Sequence, residues 1–333
     1  ISWEDGLSET ARRLGTIRAE SGPQAVVFAV TTPSGTPLSD SIDWIERFVR
    51  VFGSPNICYA TEICNWHKDF AHAFTFGCGM PPADYAEAEL IVLWGHNPAN
   101  TWLAQANALS QGRARGARMI VVDPRPTALA RQADVWLPVR PGTDAALALG
   151  LMHLLITQAR YDAAFVHDWT NAPLLVRADT GDFLRERELW PQAQHDRFVV
   201  WDETLQAAVP YDTRQAAADQ GGGFRLRGEL RLMTECGAAL ICHPAFELLA
   251  RSCADYPPET VAQITGVPPQ ALHQAADLFG SLRRIAYHAW TGIGQHTNAT
   301  QSERAVATLY ALCGSFDRIG GNRVRVGPKV NPV

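Results

Sequence analysis

The stretch LIVLWGHNPANT, residues 90–101, decides the fold. Its first four residues are continuously apolar, which is typical of a strand buried on both faces of a parallel sheet. The strand breaks at Gly95, and Asn97 and Pro98 turn the chain into a helix. Such a turn presents free backbone N–H groups beside the positive end of a helix, which suits a phosphate or pyrophosphate. Turns of this kind occur in many α/β domains, so a purely structural turn is the alternative.

Two further segments extend this pattern along the chain. The predicted strand 118–122 ends in Asp123, and the run PGTD, residues 141–144, opens another helix. An acidic residue at the end of the neighbouring strand can accept hydrogen bonds from ribose hydroxyls. Asp144 is either a helix cap or a carboxylate that pairs with the N–H donors of a guanine edge. Together these segments predict a nucleotide-binding half-sheet.

A second strand–turn–helix follows near the end of the chain, where the apolar run 284–290 breaks at TGIGQ, residues 291–295. Neither turn completes the dinucleotide fingerprint, because Gly95 lacks the following glycines and Thr297 stands where the third glycine belongs. Strands alternate with helices from 90 to 157, which predicts parallel strands with right-handed crossovers. Residues 168–233 predict loops and short antiparallel strands, and further helices are predicted at 2–20, 39–52, 260–264, 269–279 and 302–313.

Composition excludes several classes of protein. The 333 residues are 47% apolar, enough for a full core, and the net charge of −5 with no Lys/Arg block gives no footprint for nucleic acid. No apolar run reaches the roughly 18–20 residues of a membrane span. The opening ISWE has neither an initiator Met nor a signal peptide. We interpret the chain as the middle of a longer polypeptide, with a cytoplasmic or periplasmic location left open.

Thiols and imidazoles are concentrated between residues 58 and 78, at Cys58, Cys64, His67, His72 and Cys78. The spacing matches no common tetrahedral zinc site, so zinc ligands and buried structural thiols are both possible. Cys64 stands at the start of a helix-like run, where Lys68 and His67 would lower the pKa of its thiol and suit it to a soft metal centre. His67 is either a proton shuttle or a structural histidine.

The order of these motifs resembles the molybdopterin oxidoreductases, and more narrowly the dimethyl-sulfoxide-reductase group, whose molybdenum or tungsten lies between two pterin guanine dinucleotides. The resemblance rests on Cys64 ahead of an aromatic-rich helix and on five further runs: ISWEDGL at 1–7, WGHNP at 94–98, VDPR at 122–125, PGTD at 141–144 and GIGQ at 292–295. The ITGV run at 264–267 also matches. The resemblance covers nearly the whole chain except roughly 170–240.

The resemblance implies an α/β fold with two related Rossmann-like, parallel-sheet domains, one inserted in the other. The first dinucleotide-binding domain would comprise residues 1–57 and 283–333. The second, 58–282, would carry the metal-ligand Cys and an irregular α+β excursion near 168–240. The iron–sulfur domain that usually precedes these domains and the domain that usually follows them have no counterpart here. We therefore expect a central fragment of a catalytic subunit, inactive by itself.

The resemblance also assigns roles to individual residues. Cys64 falls at the metal ligand, in the subgroup that uses Cys rather than Ser or Asp. Arg125 either pairs with a phosphate or is a surface arginine. The implied contacts to the first dinucleotide are Trp94, Gly95, Asn97, Thr101, Asp123, Gly142, Thr143 and Asp144, and those to the second are Thr291, Gly292 and Gln295.

The implied activity is two-electron redox or oxo/sulfur-transfer chemistry on a small-molecule substrate, of the kind used in anaerobic respiration, with electrons passing to an iron–sulfur subunit. Formate oxidation is disfavoured, because Asn65 follows Cys64 where formate-oxidising members place His. Three alternatives stay open: a zinc-binding protein using Cys58, Cys64, His67 and Cys78; an NAD(P)-dependent dehydrogenase using the Gly95 or Gly292 turn; and a non-catalytic relative that keeps the sheets as a scaffold.

Overall fold

The computed structural model describes residues 1–30, 42–59, 70–215, 217–220 and 222–324. The helices in this part are α1 (Trp3–Ser21), α2 (Ile42–Phe52), α3 (His72–Phe76), α4 (Pro98–Thr101), α5 (Leu103–Ala114), α6 (Ala128–Gln132), α7 (Asp144–Thr157), α8 (Ala163–Trp169), α9 (Glu186–Leu189), α10 (Ala245–Ala254), α11 (Pro258–Thr265), α12 (Pro269–Ser281), α13 (Thr291–Gly294) and α14 (Ala299–Leu312). The strands are β1 (Phe28–Val30), β2 (Ile57–Tyr59), β3 (Leu90–Trp94), β4 (Arg118–Val122), β5 (Val135–Leu137), β6 (Leu175–Arg177), β7 (Phe198–Asp202), β8 (Ala207–Tyr211), β9 (Leu230–Met233), β10 (Ala239–Pro244) and β11 (Ile285–Ala289).

The main sheet is parallel, with strand order β11-β3-β4-β5. All five residues of β3 are buried, as the continuous apolar run predicts for an inner strand. Alternate residues face opposite layers: Leu90, Val92 and Trp94 pack into the cluster formed with α7, α12 and α14. Ile91 and Leu93 face the cluster formed with α5 and α6. The prediction of a mixed α/β fold with parallel strands is thus confirmed.

Helix α7 is the central helix of the first of these layers. Ten of its residues are buried, and it packs against α10, α11, α12 and α14. A helix that is apolar nearly all round is expected only where it is covered on every side. This packing fixes its first residue, Asp144, at the edge of the sheet where the strands end.

The region between α8 and α10 is antiparallel. Strands β6, β10 and β9 form one small sheet in that order, and β7 pairs with β8 in a hairpin. One apolar cluster includes residues of both, such as Leu175 of β6 and Val199 of β7, and a second includes Val200 and Tyr211 of the hairpin. The sequence predicted short antiparallel strands in this region, and the structure agrees.

The strand pairing joins two segments that the sequence predicts to lie in different domains. Residues 283–333 were expected to join 1–57, yet β11 is hydrogen-bonded along its length to β3, which lies in the 58–282 segment. Local sequence pattern predicts that a strand forms but not which strand it pairs with, because the pairing depends on how segments distant in the chain pack together. In the N-terminal part, β1 and β2 form a separate parallel pair. The division into domains and the arrangement of two Rossmann-like domains stay predictions.

Helix α1 lies at the surface of the described residues. Helix α1 begins at the predicted cap, where Ser2 Oγ accepts from the Asp5 N–H at 3.1 Å, and it has no buried residue. In the part of the chain that the structure describes, no helix combines the length and apolar character needed to cross a bilayer.

Candidate functional site at the carboxyl edge of the sheet

The carboxyl ends of the parallel strands form one edge, which is where open α/β sheets bind ligands. Strands β3 and β11 are neighbours, so the turns that follow them meet. Gly292 donates its N–H to the Gly95 carbonyl at 3.2 Å, and Trp290 donates its backbone N–H to the Trp94 carbonyl at 3.1 Å. The sequence assigned these turns to two different dinucleotides across a cleft, whereas here they lie side by side in one sheet.

Only glycine fits at the contact between the two turns. Gly95 has a φ of +57°, and a Cβ on it would lie 2.7 Å from Gly292 Cα. A Cβ on Gly292 would lie 2.5 Å from Gly95 Cα. Both distances are far shorter than a van der Waals contact, so the backbones touch because neither residue has a side chain.

Asp123 lies beside this contact, at the end of β4. Gly95 donates its N–H to the Val122 carbonyl at 2.8 Å, which places Asp123 next to the first turn. The Asp123 side chain is buried, and its Oδ1 accepts from the Arg125 N–H at 2.8 Å. The Arg125 guanidinium is 78% exposed and only 4.0 Å from the same oxygen. The Asp123 side chain therefore stabilises the turn at residues 123–125 and places its carboxylate at the sheet edge, whereas the Arg125 side chain extends into solvent.

Asp144 and Trp94 form a buried pair that the sequence did not connect. The Trp94 indole Nε1–H donates to Asp144 Oδ1 at 2.7 Å, and both side chains are buried. Burial raises the pKa of the Asp144 carboxyl, and the Trp94 indole N–H opposes that shift. Trp94, predicted to contact a cofactor, thus uses its one polar atom to hold Asp144. The electrostatic interaction with His296 also lowers the pKa of Asp144.

The loops after the two outer strands converge over the edge. Gly142 has a φ of +84°, and a Cβ on it would lie 3.7 Å from His296 Nδ1. Thr143 does not cap α7, because its hydroxyl donates to the Arg140 carbonyl at 2.7 Å. The PGTD loop after β5 therefore meets the loop after β11, although these strands are at opposite sides of the sheet.

The remaining predicted contacts of the two turns are less enclosed. Thr101 is exposed, and its hydroxyl donates to the Asn97 carbonyl at 3.0 Å. Asn97 Oδ1 is buried and has no hydrogen-bond partner among the described residues. Thr291 is half-buried and Gln295 is exposed, at the two ends of α13.

A cluster of aromatic and imidazole rings underlies both turns, and sequence reasoning missed it. The rings of His96 and His288 are 4.4 Å apart, and those of Trp102 and Trp290 are 5.0 Å apart. His96 Nε2 lies 2.8 Å from Gln105 Oε1, an acceptor, so Nε2 carries the proton. Burial lowers the pKa of His96 to about 4, which leaves the ring neutral at pH 7. The only sequence feature that could have indicated this cluster was the position of His96 and Trp290 beside the two turns.

The predicted metal ligand Cys64 and the predicted proton shuttle His67 lie outside the described residues. Of the other candidate zinc ligands, Cys58 is exposed, and the Cys78 carbonyl lies 3.1 Å from His72 Nδ1. Within the described ranges, no three His, Cys, Asp or Glu side chains are grouped so as to hold a metal ion. The assignments of Cys64 and His67 therefore stay predictions.

Comparison with known proteins places this geometry in a family. A family model described as molybdopterin oxidoreductase matches residues 1–326. The alpha chain of perchlorate reductase from Dechloromonas aromatica is 27% identical over 350 residues, covering 96% of this chain and 37% of that protein. The putative catalytic chain of a dimethyl sulfoxide reductase from Halobacterium salinarum is 30% identical over 329 residues, with the same coverage of each. The chain thus spans little more than a third of the length of these relatives.

A solved structure shows the same fold. Acetylene hydratase from Pelobacter acetylenicus aligns with a TM-score of 0.59 over 95% of this chain and 33% of that one. The two sequences are 24% identical, so this likeness concerns the fold alone.

Proposed function

We infer that this chain, which belongs to the molybdopterin oxidoreductase family, is part of the catalytic subunit of a molybdenum or tungsten enzyme that uses a bis(molybdopterin guanine dinucleotide) cofactor. The observation that carries the proposal is the row of Gly292, Gly95 and Asp123 along the carboxyl edge of the sheet, with Asp144 buried beside it. The reaction would be a two-electron redox or oxo/sulfur transfer on a small molecule, with formate oxidation disfavoured by Asn65. Partner subunits that carry electrons are part of the proposal.

The chemistry of the sheet edge fits a nucleotide. Asp123 and Asp144 are buried carboxylates, which accept hydrogen bonds from ribose hydroxyls and from the N–H groups of a guanine edge. Asn97 Oδ1 is a third buried acceptor, and the described residues leave it without a donor. A buried acceptor of this kind costs free energy unless a ligand supplies the missing donor. The edge therefore has more acceptors than the protein itself uses.

The same edge offers groups for the phosphates. His96 is neutral, so the positive partners are the exposed Arg125 guanidinium and the N-terminal end of the 14-residue helix α7. Gly95, Asn97 and Thr101 would hold the first dinucleotide, with Trp94, Gly142 and Thr143 shaping the pocket of Asp123 and Asp144. We assign Thr291, Gly292 and Gln295 to the second.

Bound there, the pterin-held metal would supply the two-electron chemistry, and the chain supplies position and proton control. On the sequence argument alone, Cys64 is the protein ligand to the metal and His67 moves the proton. The buried carboxylate of Asp144, held by the Trp94 indole, orients one guanine tail.

The test is the cofactor content of the full-length subunit that contains this chain, produced in a host that makes guanine dinucleotide cofactors. We expect molybdenum or tungsten with two guanine nucleotides released by acid for each metal. Asp144→Ala should weaken retention about tenfold, the effect of losing one charge-assisted hydrogen-bonded pair. The matched control is Asp202→Asn, which alters a buried carboxylate that caps a distant turn through Thr204 and Leu205.

The metal ligand is tested in the same material. Cys64→Ala should abolish turnover, whereas Cys236→Ala, at an exposed thiol, should not. Two results would contradict the proposed site: zinc bound in place of molybdenum or tungsten, or a guanine nucleotide content in Asp144→Ala equal to that of the wild type. Normal turnover in metal-replete Cys64→Ala would contradict the ligand assignment.

A further inference from the structure

A cavity of about 880 Å³ lies apart from the candidate nucleotide site. It is lined by α3, α8, α10 and α14 together with the segment that follows β8, and none of its lining residues belongs to the sheet edge described above. Its volume is within the range of sites that hold small organic molecules. This part of the fold therefore offers a second place where a ligand can bind.

The walls of the cavity are largely aromatic. Phe76 of α3 stacks on Phe316, with ring centroids 4.4 Å apart and planes only 9° from parallel. Tyr211 and Phe246 contribute further ring surface. Trp169, at the end of α8, lines the cavity with 71% of its surface exposed. Such walls favour flat rings, which stack on aromatic side chains with little loss of conformational entropy.

One polar group in the cavity is a carboxylate that is held in place. His167 Nδ1 lies 2.6 Å from Asp168 Oδ1, and the Phe224 N–H donates to His167 Nε2 at 2.8 Å. Because Nε2 accepts, the proton of the neutral ring is on Nδ1 and is donated to Asp168. This bond uses Oδ1 of Asp168, which leaves Oδ2 as an acceptor for a ligand.

A guanidinium without a carboxylate partner among the described residues also lines the cavity. Arg304 of α14 contacts Gln301 Oε1 at 3.3 Å, and among the described residues no carboxylate lies within ion-pair distance of it. Arg214 also lines the cavity, but it is paired with Asp212 at 2.7 Å. Arg304 is thus the cation that a bound anion would meet.

We propose that this cavity binds an aromatic monoanion that also carries an N–H or O–H donor. Its rings would lie against Phe76 and Phe316, its anionic group against Arg304, and its donor against Asp168. A cation would be repelled by Arg304, and an anion without a donor would leave Asp168 facing it unpaired. The proposal rests on this cavity alone and is independent of the pterin cofactor.

The test uses two dyes that differ by one sulfonate. 8-Anilinonaphthalene-1-sulfonate has aromatic rings, an N–H and an anionic group, and N-phenyl-1-naphthylamine is the same molecule without the sulfonate. Each is titrated into the 333-residue chain by fluorescence at low salt. Arg304→Gln should weaken sulfonate binding about tenfold, as expected for losing a hydrogen bond to a charged group, and leave the neutral dye within about twofold. Arg231→Gln, at an exposed arginine of β9, should change neither.

Filling the cavity gives an independent readout. Ala311→Phe on α14 and Ala245→Phe on α10 place a ring in the space from two different walls, and each should remove binding of both dyes. Far-UV circular dichroism and the urea midpoint verify that each variant is folded. If neither filled variant is folded, the binding of the two dyes to Arg304→Gln alone tests the proposal. Equal loss of both dyes in Arg304→Gln, or sulfonate binding that survives in a folded filled variant, would overturn the proposal.

Discussion

Replacement of Gly95 by alanine measures how tightly the two turns are joined. Two costs add at this residue: the left-handed backbone at φ +57° and a Cβ placed 2.7 Å from Gly292 Cα. A non-glycine residue in the left-handed region costs about 1 kcal/mol, and forcing a methyl group into packed backbone costs about 2 kcal/mol. We therefore expect Gly95→Ala to lower the free energy of unfolding by about 3 kcal/mol.

Two matched variants separate these costs. Gly266 has a φ of +77° with nothing within 4 Å of its Cβ position, so Gly266→Ala should cost only about 1 kcal/mol. Gly292 has no left-handed backbone, but its Cβ would lie 2.5 Å from Gly95 Cα, so Gly292→Ala should cost about 2 kcal/mol. The double variant at 95 and 292 should cost less than the sum of the two, because turns already parted have room for a second methyl group.

Urea unfolding followed by tryptophan fluorescence gives these free energies, since Trp94 and Trp290 stand directly before the two turns. A loss in Gly95→Ala no larger than that in Gly266→Ala would refute the contact. Strict additivity at Gly95 and Gly292 would show that the two methyl groups do not compete for one space.

Two predictions concern pH, with opposite signs. Burial depresses the His96 pKa from 6.5 to about 4, so the folded protein binds this proton less readily than the unfolded chain, and about 3 kcal/mol of stability is lost as pH falls through that interval. Urea midpoints measured between pH 7 and 4 should show that His96→Gln lacks this loss of stability. A pH profile of His96→Gln identical to that of the wild type would contradict the buried neutral ring. The Asp144 pKa is raised, so its folded state binds the proton more readily, and stability declines as pH rises above 3.8. Asp144→Asn keeps an acceptor for the Trp94 indole, so its free energy of unfolding should rise relative to that of the wild type as pH increases. A difference between the two proteins that does not change with pH, or that moves in favour of the wild type, would exclude the raised Asp144 pKa as the cause.

The local sequence predicted the elements well. Helix α1 with its Ser2 cap, strands β3 and β4, and the helix that opens at Asp144 all lie where apolar runs and breaker residues indicated. These features depend on interactions between residues close in the chain, such as backbone torsion, capping and the alternation of buried faces. The ordered motifs also identified the family, which the family match confirms.

What only the tertiary structure decided is which distant parts meet. The pairing of β11 with β3 joins residues almost 200 positions apart, and no local periodicity encodes that choice of neighbour. From it follow the contact of Gly95 with Gly292 and the tilted ring contact between His96 and His288. The Trp94–Asp144 hydrogen bond likewise depends on how α7 packs on the sheet. Local pattern determines where a strand begins and ends, whereas the free energy of burying its faces, summed over the whole core, selects its partner.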